Sequence, residues 1–173
     1  MPVTRFEITL RRPLSGEPAY EELKGRLHFA IDPLHPANRR ITDVDLAPRN
    51  AQGRVEWDSD VSILVPVDRS RCSGRVLLDV VNRGNTVAVP NFNRATRPAF
   101  GPGSDPHPPI DVGDGFLMKR GFIVISCGWQ GDLPRVPGLI GMRTPEPRDA
   151  AARPLRGRVE TQGAAPAAGA RLL

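Results

Sequence analysis

Apolar and polar residues alternate along the amino terminus, with Phe6, Ile8 and Leu10 on one side of an extended chain and Glu7, Thr9 and Arg11 on the other. That period of two predicts a half-buried strand. Arg26 to Ile31 repeats the pattern and places Leu27, Phe29 and Ile31 together. Asp32-Pro33 and His35-Pro36 then end the strand, because a residue before proline avoids the helical region. Val44 and Leu46 share a face opposite Asp43 and Asp45, which places the two carboxylates on a solvated edge. The turn residues Arg49 to Gly53 lead into a strand beginning at Val55 and Trp57, and Val61 to Val67 forms a further strand ended by Pro66. Closely spaced strands joined by short polar turns predict antiparallel pairing.

The pattern changes after the turn at Asp68 to Gly74. Val76 to Val81 and Phe122 to Cys127 are short apolar runs rich in β-branched residues, and each opens into a polar, glycine-containing loop. Such runs predict strands buried on both faces, the habit of parallel sheets. Asp111 to Arg120 predicts the connecting helix. Lys119 and Arg120 suit the negative end of its dipole, and Gly121 supplies a left-handed exit. The two strands are therefore expected side by side and parallel, joined by a crossover, with ligands bound beyond their carboxyl ends. The expected fold class is α/β: an antiparallel β-rich lead-in followed by a first parallel βαβ portion. Pro90 to Pro109 contains six prolines and predicts a long loop, and residues 161–173 form a low-complexity tail with no apolar periodicity.

Six segments in this order carry a more specific likeness: Tyr20 to Gly25, Asp45 to Asn50, Val81 to Gly84, Asp114 to Leu117, Gly128 to Asp132 and Pro154 to Val159. They resemble the amino-terminal part of a bacterial family of alpha/beta hydrolase domain proteins, and the likeness covers residues 1–160. It implies that Val76 to Val81 and Phe122 to Cys127 correspond to the third and fourth strands of an α/β-hydrolase-like sheet, here incomplete. The loop Asn82, Arg83, Gly84 and Asn85 would then contribute a backbone N–H to an oxyanion hole, with Gly84 allowing close approach. A strand-ending turn explains the same residues without chemistry. Trp129, Gln130 and Asp132 would line a pocket or serve as packing and hydrogen-bonding groups of their loop.

The catalytic half of a hydrolase of this fold is absent. None of the seven serines has glycine two residues before and two after, and His28, His35 and His107 all lie upstream of where the family places its catalytic histidine. No catalytic residue is therefore assigned. The resemblance implies ester or related acyl hydrolysis for the family and an inactive amino-terminal fragment here; the departure from the family pattern near Thr161 fits a truncation, a frameshift or a genuine short protein alike. A binding or interaction module using an exposed sheet face is the alternative. A small-molecule substrate is expected only if the rest of the domain is present.

Composition narrows the classes further. The net charge of +5 comes from 24 basic residues, 22 of them arginine, scattered among 19 acidic ones without a basic run. That distribution argues against a nucleic-acid partner. Cys72 and Cys127 make neither a disulfide framework nor a metal pattern, so neither metal nor cofactor is expected. No apolar segment approaches a bilayer span, and Met1 to Ile8 lacks the apolar core of a signal peptide. These features predict a cytoplasmic chain without a membrane partner. A parallel sheet covered by a single helix would leave an apolar face wet, which invites self-association.

Overall fold

A computed structural model describes residues 3–97, 105, 107–134 and 136–146. Its strands are β1 (Val3–Pro13), β2 (Tyr20–Ile31), β3 (Val55–Pro66), β4 (Val76–Val80), β5 (Ile123–Cys127) and β6 (Met142–Arg143). Two short helices, α1 (Ala88–Phe92) and α2 (Phe116–Lys119), lie between β4 and β5. The main sheet order is β1-β2-β3-β5-β4, with β6 pairing to β3. β1-β2, β2-β3 and β3-β5 are antiparallel, while β4 and β5 run parallel in register from Val76↔Ile123 to Val80↔Cys127. The sheet is thus mixed, mostly antiparallel with one parallel pair and few helices. The antiparallel lead-in and the parallel neighbours β4 and β5 are as expected.

The lead-in is more continuous than its pattern predicts. Val55–Pro66 is one strand, paired with β2 along its whole length. Asp58, Ser59 and Asp60 continue the ladder because each polar group has a partner. Arg143 meets both carboxylates, and the buried Ser59 hydroxyl donates to the Gly128 carbonyl at 2.6 Å. Val44 and Leu46 lie in turns rather than on a strand. Val44 packs with Ile31 and Val55 and closes a small core over one end of the sheet.

β1 departs from the expected half-burial. Phe6 and Ile8 are exposed. A register shift between Ile8 and Leu10 pairs Ile8 with Gly25 and Leu10 with Lys24, which moves Leu10 to the opposite face. Phe6, Ile8 and Leu10 therefore do not share one side.

The two helices cover one face. Tyr20, Leu64 and Val124 from the sheet pack with Ala88, Val89, Leu117 and Met118. The Tyr20 hydroxyl donates to the Phe122 carbonyl at 2.9 Å, and burial pushes its pKa up to about 12. The predicted helix at Asp111 to Arg120 is regular only over its last turn. Asp111 and Asp114 side chains accept from the N–H groups of Gly113 and Phe116 and hold the preceding residues in turns. Gly121 has the expected left-handed φ of 67°. The expected loop from Pro90 starts inside α1, and its residues 98–104 and 106 lie outside the described part, as does the 161–173 tail.

Asn93 ties the helices together. Its side chain accepts from the Leu117 N–H at 3.0 Å and donates to the Val112 carbonyl at 2.9 Å. Among the described residues, nothing covers the opposite face of β4 and β5 in this way. Val76, Leu78 and Val80 are 56%, 61% and 62% exposed. Ile123, Ile125 and Cys127 beside them are half-buried, so β5 is buried on one face rather than both. β5 lies inside the sheet between β3 and β4, and β4 is the edge strand on this side.

Candidate functional site

Parallel pairing brings the carboxyl ends of β4 and β5 together, and the loops leaving both strands meet there. Asn82 and Asn85 close a tight turn, each N–H donating to the other's carbonyl at 2.9 and 3.0 Å. Arg83 and Gly84 between them are both left-handed, with φ of 48° and 83°. Two consecutive left-handed residues favour glycine. Space makes the demand stronger at Gly84, where a Cβ would stand 2.9 Å from Leu133 and 3.0 Å from Leu139. The Gly84 carbonyl accepts from the Ile140 N–H at 2.9 Å.

The loop after β5 grips this turn. Gln130 Oε1 accepts the Arg83 N–H at 3.0 Å, and the Arg83 guanidinium donates to Asp132 at 2.7 Å. The hydrogen bond from Arg83 holds the Asp132 carboxyl below the usual carboxylate range. Trp129 Nε1 donates to the Val81 carbonyl at 2.7 Å while its ring remains exposed. The residues singled out in the two loops, Asn82 to Asn85 and Trp129, Gln130 and Asp132, thus form one hydrogen-bonded constellation. The cleft beside it is lined by Gly131, Leu133, Leu139, Met142 and Asp60.

Asp79 supports the turn from below. The buried carboxylate accepts from the Val87 N–H at 3.1 Å and from the Ser126 hydroxyl at 3.0 Å, linking both parallel strands to the start of α1. Sequence reasoning missed Asp79, and also missed Leu133, Leu139 and Ile140, which seat Gly84. Asp79 carried a signal, being the one charged residue within β4. The Leu139-Ile140 contact carried none, because that segment has no periodicity to place it.

Chemically, the constellation offers a backbone N–H held in a preset direction and satisfied by an amide oxygen. The buried serine hydroxyls point elsewhere: Ser59 to Gly128, Ser62 to Glu22 and Ser126 to Asp79. His28 meets Arg5 and Glu7, and His35 accepts from the Ala37 N–H. Among the described residues no group of His, Cys, Asp and Glu is arranged to hold a metal ion, and no helix is long and apolar enough to cross a membrane. Compared with protein families, with curated proteins and with solved structures, the chain finds no match in any of the three.

Proposed function

We propose that the chain is the amino-terminal portion of an α/β-hydrolase-like domain, carrying the oxyanion side of an acyl-hydrolase site without its nucleophile. The observation that carries this reading is the placement of Asn82 to Asn85 against Gln130 and Asp132 at the carboxyl ends of two parallel strands. Donors fixed before substrate arrives are the part of such a site that a fold can supply alone. Bond breaking needs a nucleophile and a base, and without them the donors give little turnover.

The purified chain is therefore expected to hydrolyse simple activated esters no faster than background. Turnover abolished by replacing one serine with alanine would contradict the proposal. The exposed apolar side chains of β4 favour a second reading, an interaction module that uses this face. A chain that stays monomeric at high concentration, with a sharp reversible unfolding transition, would favour that reading over the first.

A further inference from the structure

On the covered face, beside the residue that follows the Asn82 to Asn85 turn, the sheet and the α1 region line a partly open cavity of about 50 Å³. It has room for about four water-sized groups. Glu22, Lys24 and Ser62 form its polar floor, and Val89, Ile110 and Ile140 are among its apolar walls. Glu22 is completely buried and already engaged: Arg12 donates to its Oε2 at 2.7 Å and Ser62 to its Oε1 at 2.7 Å. Lys24 Nζ stands 3.8 Å from the same Oε1, beyond a short hydrogen bond, with its side chain largely enclosed. An amine withdrawn from water beside a group that can take its proton is an arrangement that can make lysine nucleophilic.

We infer that Lys24 is a reactive amine that condenses with a small uncharged aldehyde or ketone entering this cavity. The Lys24 ammonium gives a proton to the Glu22 carboxylate, and the freed lone pair attacks the carbonyl carbon to form a carbinolamine. Glu22 returns the proton to the departing hydroxyl, so water leaves and a protonated imine remains. No electrons are gained or lost. Burial pushes the Lys24 pKa below the ordinary lysine range, Glu22 opposes that shift and Arg12 reinforces it. Asp60 on β3 and Asp105 add weaker opposing fields. Asp111 at the cavity is occupied by the N–H groups of Thr96 and Gly113, and Asp79 on β4 by Ser126 and Val87.

The chain holds one other lysine, the exposed Lys119, which donates to the Asp114 carbonyl and serves as an internal reference. The wild-type chain is treated with propionaldehyde and cyanoborohydride near neutral pH, and peptide mass spectrometry tracks alkylation at each lysine. Lys24 is expected to label ahead of Lys119 in the folded chain, with the preference lost in denaturing urea. Labelling of Lys119 at an equal or greater rate, or labelling of Lys24 only in urea, would overturn the inference. In Glu22→Gln, slower labelling at Lys24 with Lys119 unchanged supports the proton transfer. An unchanged rate at Lys24 removes Glu22 from it.

Discussion

Gly84 shows how one residue can set a site. It is left-handed, and two leucine side chains leave no room for a Cβ. Gly84→Ala is expected to cost roughly 1–3 kcal/mol through overpacking and backbone strain, measured by urea unfolding. The glycine was legible in the sequence as a turn signal. The leucines that fix it were not, because they come from a segment some fifty residues further along the chain. Glu21 carries a pH dependence. The hydrogen bond from Arg11 lowers its folded pKa from 4.5, burial opposes this, and Arg69 adds a second lowering contact. The carboxylate's contribution is therefore complete above the unfolded value near 4.5 and is lost as pH falls through the folded value. Glu21→Gln should lose less stability than the parent on acidification across that range. An identical acid limb would show that Glu21 does not contribute to it.

At the scale of elements, periodicity marked part of each long strand, β2 only from Arg26 and β3 as two pieces, while helix lengths were misjudged. Asp111 and Asp114 explain the shortened helix, since their side chains satisfy N–H groups in turns that a helix would otherwise compete for. The register shift that moves Leu10 across the sheet had no sequence signal, because alternation continues unbroken through it. α1 and α2 are too short to persist without tertiary support, and Asn93 supplies part of that support. Asn93→Ala would leave the Leu117 N–H unpaired, at roughly 1–3 kcal/mol for that buried group, while the Val112 carbonyl keeps its bond from the Gly115 N–H. The two faces of the sheet should respond differently to truncation. Leu117→Ala, inside the covered core, is expected to cost about 2–5 kcal/mol. Leu78→Ala, on the open face, should stay within about 0.5 kcal/mol. Equal effects in chemical denaturation would mean that the open face is covered.

At the scale of the whole molecule, the described residues cover the sheet on one side only. β4 is an edge strand with three exposed apolar side chains, and such edges pair with other chains unless blunted by charge, proline or a bulge. Sedimentation is expected to show concentration-dependent association, and Leu78→Lys should shift the chain towards monomer. The one parallel pair was legible from its two short apolar runs, and the mainly antiparallel lead-in was legible from its turns. The proposal that this sheet belongs to a longer hydrolase-like domain is tested most directly by sequencing the DNA beyond the codon for Leu173. A continuation is expected there, in one frame or another, encoding a G-x-S-x-G turn and then an acidic residue and a histidine. Downstream DNA with no such coding in any frame would contradict the proposal.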